Sequence, residues 1–206
     1  MVALMVLVWA VRLGSFLFLR AKETGGDSRF DKIKQYPLSF LSWWSLQALW
    51  VLVNIACALV VLTTKENEPF DIFAVIGAIL WISGFAIEVI ADQQKKKYRR
   101  EAKNKGKFIN TGLWAWSRHP NYFGEILLWV GITIVALPVL AGWRWVALIS
   151  PIFVAVLLTR ISGIPILERR AKAQWGNDEH YKIYVKNTPM LLLRPPKTNL
   201  GRESGN

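Results

Sequence analysis

We predict a ligand-binding site in the segment Leu113–Glu125. There a strongly basic connector runs into an apolar stretch of membrane-spanning length. The segment contains the run Arg118-His119-Pro120-Asn121-Tyr122 and then Glu125. A charged, aromatic segment is costly at the mouth of a membrane helix unless it binds something. Arginine binds phosphate in a bidentate manner and lysine binds it as a point charge. The residue types therefore favour a site for an anionic, water-soluble cofactor, with an apolar substrate arriving from the lipid.

Two pairs of polar residues occur at helical spacing, one before this segment and one at its end. Glu88 and Asp92 are four residues apart, as are Asn121 and Glu125, so each pair lies on one helix face. Pro120 suits the first turn of a helix, where its missing N–H costs nothing. The pattern predicts two short polar faces that meet at the same membrane surface.

Arg12 and Arg160 add two basic residues to the apolar blocks, and they match the two acids Glu88 and Glu125. Charges within a membrane normally pair with one another or line a cavity. Simple neutralisation that holds a bundle together is one interpretation. The surplus of aromatic and hydrogen-bonding side chains in Leu113–Glu125 favours a ligand site, because a bundle needs only one or two interhelical hydrogen bonds.

The elements that position these residues are apolar blocks of bilayer length. Five are present: Val2–Leu19, Phe40–Leu62, Phe70–Ala91, Tyr122–Leu140 and Trp145 to about Leu158. Each is near the length that a bilayer requires of a helix, and none carries more than one or two ionisable groups. A soluble bundle is disfavoured, since the blocks leave no polar face for water. We expect an all-α integral membrane bundle of about five transmembrane helices, forming a single domain over residues 1–206.

Lysine and arginine are distributed unevenly between the connectors. Residues 20–37 hold five, residues 92–120 hold nine and the tail after Gly163 holds eight, whereas the alternate connectors hold only Lys65 and Arg144. The positive-inside rule places both basic loops and the tail in the cytosol and the N-terminus outside. The net charge of +12 then faces anionic lipid headgroups, which explains it without a nucleic-acid partner.

Several site classes are disfavoured by what the sequence contains. The single Cys57 lies in an apolar block, which excludes a disulfide framework or a cysteine metal site, and two histidines, His119 and His180, argue against a His-rich metal centre. Val2–Leu19 lacks the features of a cleavable signal. No Gly-rich Rossmann fingerprint follows a strand-like segment. A dinucleotide would therefore be held by membrane helices and their loops.

An ordered set of motifs resembles the steroid 5α-reductase family, in particular its bacterial and plant branch of largely uncharacterised proteins. The resemblance spans nearly the whole chain. Its motifs are Arg12–Gly14, Asp27–Phe30, Glu88–Gln94, Asn104–Phe108, Thr111–Trp114, Ser117–Glu125, and Ser162–Pro165 with Glu168.

This resemblance implies a membrane reductase that passes a hydride from NADPH to a carbon–carbon double bond conjugated to a carbonyl group. The substrate is lipid-soluble, and the cofactor site faces the cytosol in a bacterial inner membrane or the endoplasmic reticulum. By position, Asp92 and Asn121 match cofactor-holding residues, and Arg99 and Arg160 match basic residues near the phosphates. The full predicted cofactor set is Glu88, Asp92, Arg99, Arg118, His119, Asn121, Tyr122, Glu125 and Arg160, with Lys96 and Lys107 at further basic positions; no catalytic residue is assigned.

The chain departs from the family pattern at its start. Family members usually have two more helices before the segment that matches Val2–Leu19. In the steroid reductases, a glutamate on one of those helices and a tyrosine on the next polarise the substrate carbonyl. The glutamate has no counterpart here, and the tyrosine position falls at about Trp9, which donates a hydrogen bond but is a poor proton source. Steroid specificity is therefore not transferred.

Two alternatives stay open. The first is a resemblance to the isoprenylcysteine carboxyl methyltransferases, which bind S-adenosylmethionine at the same kind of helix mouth. It is carried by Arg118-His119-Pro120 with Tyr122, and by the later Glu168, Tyr181 and Tyr184. The Glu88–Gln94 motif favours the reductase. The second alternative is that the chain is a non-catalytic membrane protein.

Overall fold

All regular secondary structure in the residues that the structure describes is helical. The computed structural model describes residues 1–24, 36–64 and 71–196. The α-helices are α1 (Val2–Thr24), α2 (Pro37–Asn54), α3 (Ala56–Thr63), α4 (Ile72–Arg100), α5 (Pro120–Ala136), α6 (Ile149–Val156), α7 (Ile164–Trp175) and α8 (Glu179–Asn187). No strand occurs in these ranges, so the predicted all-α class is confirmed.

The helices include enough membrane-length segments for the predicted bundle. By length and composition, four segments of the described chain qualify as spans: Val2–Leu19, Ile72–Arg100, Pro120–Val139 and Gly142–Trp175. A fifth is present if α2 and α3 count as one bent span. These five correspond to the five apolar blocks, and the prediction of a membrane bundle with about five transmembrane helices is confirmed.

The second apolar block is broken where the sequence predicted one helix. α2 ends at Asn54, and α3 leaves it at an angle of 60°. At the break the carbonyl oxygen of Asn54 accepts a hydrogen bond from the Ser150 hydroxyl. A side chain inserted at a helix carbonyl is a common cause of a sharp bend. The break interrupts the backbone hydrogen bonds of the helix, and the Ser150 hydroxyl supplies the Asn54 carbonyl oxygen with a donor.

Some sequence-based predictions fall outside the described ranges. They concern Arg29, Lys32 and Lys34 of the first basic loop, Lys65 of the next connector, the Asp27–Phe30 motif, and the tail beyond residue 196. The cytosolic placement of the loops stays a prediction.

The chain divides into two compact units. The first comprises residues 1–78 and 131–153, and the second comprises residues 79–130 and 154–206. In the first unit, the fully buried Cys57 donates its S–H to the Ala147 carbonyl oxygen at 3.0 Å. The second unit carries the motifs singled out for chemistry.

Two glycines bring α4 and α5 close together within the second unit. A Cβ atom added to Gly84 would lie 2.6 Å from the backbone oxygen of Gly124 and 2.6 Å from the backbone nitrogen of Leu128. Small residues that let backbones approach are typical of helix contacts in membranes, where the hydrophobic effect between helices is absent. The polar residues in the C-terminal half of α4 and those at the start of α5 are thereby held in one unit.

Local sequence explains where the helices of the second unit begin and end. Pro120 and Pro165 occupy the first turns of α5 and α7, where no backbone N–H is needed. Asp178 caps α8 by accepting a hydrogen bond from the His180 backbone N–H at 2.8 Å. The last turn of α4 is basic, which suits the negative end of the helix dipole.

Candidate functional site

A single carboxylate holds two neighbouring residues of the Leu113–Glu125 segment. Glu168, in the second turn of α7, accepts a hydrogen bond from Arg118 Nη1 on Oε2. Its other oxygen, Oε1, lies 2.8 Å from His119 Nε2. The Arg118 and His119 side chains are largely buried, and that of Glu168 is 28% exposed. Because each oxygen has its own donor, the pair is held in one orientation just before α5 begins.

The contact with Glu168 defines the protonation of His119. A carboxylate only accepts hydrogen bonds, so we assign the proton to Nε2. Nδ1 is buried without a hydrogen-bond partner, and it is the acceptor of the neutral ring. Burial lowers the pKa of His119, an effect that outweighs the opposing influence of Glu168, while the Lys95 and Arg118 charges lower it further. The site therefore contains a neutral histidine of fixed tautomer.

The Arg118–His119–Glu168 cluster opens onto a cavity of about 130 Å³ in the second unit. Basic side chains and aromatic rings make up most of its lining. The lining residues are Lys95, Tyr98, Arg99, Lys107, Phe108, Ile109, Trp114, Arg118, His119, Leu167, Glu168, Ala171, Trp175, Tyr181 and Tyr184. This combination suits a ligand that has both a planar ring and negative charge.

Aromatic side chains form one wall of the cavity. The Phe108 ring lies 5.2 Å from Tyr181, 5.3 Å from Tyr184 and 6.0 Å from Trp175 between ring centroids. The buried Tyr184 donates its hydroxyl to the Trp114 carbonyl oxygen at 2.7 Å. Burial raises the pKa of Tyr184 well above its usual value, so this hydroxyl stays protonated and serves as a fixed structural donor.

The loop before α5 is fixed to α4 by a second set of contacts. The indole N–H of the buried Trp114 donates to the Ala91 carbonyl oxygen at 2.9 Å, and Lys95 Nζ lies 4.2 Å from the centre of the Trp114 ring. Gln94 Oε1 accepts from the Leu113 backbone N–H at 2.9 Å. Gly112, with φ of 60°, lets the chain turn against Gln94. The site is thus built from α4, this loop, α7 and α8.

Comparison with known proteins identifies the family. A family model described as "Protein of unknown function (DUF1295)" matches residues 1–188. The chain belongs to the DUF1295 family. This family is steroid 5α-reductase-like, so the resemblance carried by the motifs is confirmed.

A curated relative supports the same assignment. Rat 3-oxo-5-alpha-steroid 4-dehydrogenase 1 is 26% identical to the DUF1295 protein over 117 residues. The match covers 56% of this chain and 39% of the relative. No solved structure matches the chain significantly. Family and apolar helices together place the DUF1295 protein among integral membrane proteins.

The structure groups four of the nine predicted cofactor residues at or beside the cavity: Arg99, Arg118, His119 and Tyr122. Arg99, Arg118 and His119 line the cavity, as does Lys107. Tyr122 stacks on the His119 ring at a centroid distance of 5.8 Å and an interplanar angle of 12°. The tyrosine therefore supports the histidine without lining the cavity.

The other predicted residues do not line this cavity. Glu88 is buried in α4 beside Gly124, and Asp92 follows one turn later. Asn121 and Glu125 are half-buried in α5, where Asn121 Oδ1 has no hydrogen-bond partner. Arg160 is exposed in a π-helix, Leu157–Ile161. Their cofactor contacts stay predictions.

Two aromatic lining residues, Tyr98 and Trp175, were missed in the sequence. Tyr98 donates its hydroxyl to the Phe108 carbonyl oxygen at 2.9 Å, and Trp175 donates its indole N–H to the Gly106 carbonyl oxygen at 2.6 Å. One signal was available: Trp175, Tyr181 and Tyr184 are aromatic residues within an otherwise basic tail, and the two tyrosines share a helix face.

Acidification is expected to destabilise the DUF1295 protein through His119. The pKa of this histidine is lowered in the folded state, whereas the unfolded chain has the ordinary value of about 6.5. Below that pH the unfolded chain binds a proton that the folded chain does not, so the free energy of unfolding falls until the lower folded pKa is reached. The slope is at most about 1.4 kcal/mol per pH unit. Unfolding at pH 7.5 and 5.5 measures it.

His119→Asn should remove this part of the pH dependence. The matched control is His180→Asn, because His180 is exposed on α8 and is the chain's other histidine. A wild-type pH dependence that survives in His119→Asn would contradict the assignment.

Proposed function

We propose that the DUF1295 protein is a membrane reductase that uses NADPH to reduce a carbon–carbon double bond conjugated to a carbonyl group. The substrate is lipid-soluble and steroid- or isoprenoid-like. One observation carries the proposal: in a steroid 5α-reductase-like chain, the cavity joins cationic Arg99, Lys107 and Arg118 to an aromatic wall. The basic face is proposed to lie in the cytosol, at a bacterial inner membrane or the endoplasmic reticulum.

The donor set fits a phosphate-bearing cofactor, and the cavity volume limits how much of it enters. Arg118 Nε is buried without a hydrogen-bond partner, so a ligand acceptor there would satisfy it. The cavity of about 130 Å³ is smaller than typical ligand pockets of about 300 to 1,000 Å³. One ring or one phosphate group of the cofactor would lie inside, and the remainder would lie over the basic surface.

The protein's own residues would bind and orient the reactants. When bound, NADPH supplies the hydride. Arg99 and Lys107 would bind its phosphates, and Glu168 would hold Arg118 in position for the same purpose. Asp92 and Asn121, which match cofactor-holding residues of the family, are proposed to contact the cofactor from the neighbouring ends of α4 and α5.

A second candidate function is methyl transfer from S-adenosylmethionine. One observation favours it: His119, Glu168, Tyr181 and Tyr184, named by the methyltransferase resemblance, all line the cavity. The family assignment and the curated relative favour the reductase instead.

Ligand protection separates the candidates. The detergent-purified protein is titrated with NADPH and, separately, with S-adenosylmethionine, and its thermal unfolding is followed. A ligand at a hundred times its Kd that binds only the folded state adds about 2.7 kcal/mol. Protection by NADPH alone supports the reductase, and protection by S-adenosylmethionine alone overturns it. Protection by neither supports a non-catalytic membrane protein.

Arg99→Gln is expected to weaken NADPH binding more than NADH binding. The two cofactors differ by the 2′-phosphate, and Arg99 is proposed to contact it. Because Arg99 is exposed at the cavity rim, solvent screens the contact, and we expect a loss of about 1 kcal/mol, or roughly fivefold in Kd. Equilibrium titration with both cofactors measures the difference.

The matched control for this prediction is Arg100→Gln. Arg100 is also exposed on α4 but does not line the cavity, so its loss should leave the NADPH-to-NADH ratio nearly unchanged. Equal weakening of both cofactors by Arg99→Gln would remove Arg99 from the phosphate site.

A further inference from the structure

The residues that follow α8 run back along the loop that carries Arg118. The Arg118 backbone N–H donates to the Pro189 carbonyl oxygen at 2.9 Å, and the Arg194 N–H donates to the Trp116 carbonyl oxygen at 3.0 Å. Between them, the fully buried Ser117 hydroxyl donates to the Leu191 carbonyl oxygen at 2.9 Å. We call residues 189–194 the C-terminal strap. Its backbone is tied to the loop at both ends and in the middle.

The strap exposes two large apolar side chains, which we call its apolar face. Met190 and Leu192 are 42% and 66% exposed, whereas the alternate residues Leu191 and Leu193 are half-buried. Trp116, bonded to the strap through its carbonyl oxygen, is 41% exposed. Contiguous large apolar side chains on an outer surface indicate a protein or membrane contact.

Continuity with a membrane span identifies what covers this face. The candidate span Pro120–Val139 begins four residues after Trp116, so the loop and the strap bonded to it lie at the end of a bilayer-crossing helix. Tryptophan is enriched at that depth, where one end of the ring is apolar and the other is wet. Arg194 is exposed at the end of the strap, which suits anionic lipid headgroups.

We propose that the C-terminal strap docks on the membrane surface, with Met190, Leu192 and Trp116 inserted among the lipid headgroups beside the start of α5. The occupant of this face is the bilayer in which the protein is embedded. Docking would hold the strap, and the loop hydrogen-bonded to it, at the membrane surface, and this loop carries Arg118 and His119. The proposal does not depend on which cofactor the cavity binds.

The lone cysteine makes a direct test possible. Cys57 is fully buried, so a thiol-reactive nitroxide attaches selectively to an introduced cysteine; labelled wild-type protein measures the background. Leu192→Cys and Met190→Cys are labelled and reconstituted in lipid nanodiscs. Power-saturation spectroscopy then compares collisions with oxygen, which concentrates in lipid, and with a water-soluble nickel chelate.

The matched control is Lys186→Cys, on the exposed side of α8. We expect an oxygen-to-nickel collision ratio several-fold higher at positions 190 and 192 than at 186. Equal ratios at all three positions would overturn the proposal. A high ratio at only one of positions 190 and 192 would also overturn it, because the proposal inserts both side chains.

Discussion

Glu168→Gln is expected to lower both the stability of the protein and its affinity for the cofactor. The amide has one oxygen for two donors, so it cannot serve Arg118 Nη1 and His119 Nε2 as the carboxylate does. A hydrogen bond to a charged group contributes about 1.5 to 3 kcal/mol, and the partly buried Arg118 would lose its counter-charge. We expect a loss of about this size in the free energy of unfolding, measured by denaturation in detergent micelles.

The matched control is Glu179→Gln in α8. Glu179 lies 2.6 Å from Lys182 Nζ, but its side chain is 76% exposed, and exposed pairs contribute only about 0.2 to 1 kcal/mol. Cofactor binding should fall in Glu168→Gln and be unchanged in Glu179→Gln. If the two variants are equally stable, the Glu168 cluster does not hold the site together.

Gly84→Val is expected to cost about 3 kcal/mol of unfolding free energy. Its new Cβ would lie 2.6 Å from backbone atoms of Gly124 and Leu128, and backbone atoms cannot rotate away as a side chain can. Overpacking commonly costs about 1 to 3 kcal/mol, and the rigid neighbours place this site at the upper end. The spacing of α4 from α5 would also increase, so we expect weaker ligand protection in the same thermal unfolding experiment.

Gly14→Val provides the comparison for Gly84→Val. Gly14 also lies within a helix, α1, but a Cβ added there meets nothing within 4 Å. Both variants make the same change in helix propensity, so the difference between them isolates the close approach of α4 and α5. Equal stability of the two variants would show that the helices separate at little cost.

Local composition determined most of the fold. Hydropathy along a segment depends only on that segment's own residues, so the five blocks from Val2–Leu19 to Trp145–Leu158 predicted the membrane helices without knowledge of their neighbours. The ordered motifs from Glu88–Gln94 to Ser162–Pro165 likewise indicated the steroid 5α-reductase-like family, which the comparison confirmed.

The break between α2 and α3 was not predicted from the sequence. The block Phe40–Leu62 contains no proline or glycine at the bend, and the only polar residue there is Asn54. The hydroxyl that accompanies the break comes from Ser150, 96 residues away from Asn54. Local propensity contains no information about a partner at that distance.

The arrangement of the candidate site was likewise decided by tertiary structure. Residue types within Leu113–Glu125 were enough to select Arg118 and His119, because polar groups at a helix mouth are costly without a role. Their joint attachment to Glu168, 50 residues from Arg118, depends on where α7 returns to that loop. Spacing along one helix shows which residues share a face, but only the packing of segments distant in sequence determines what that face meets.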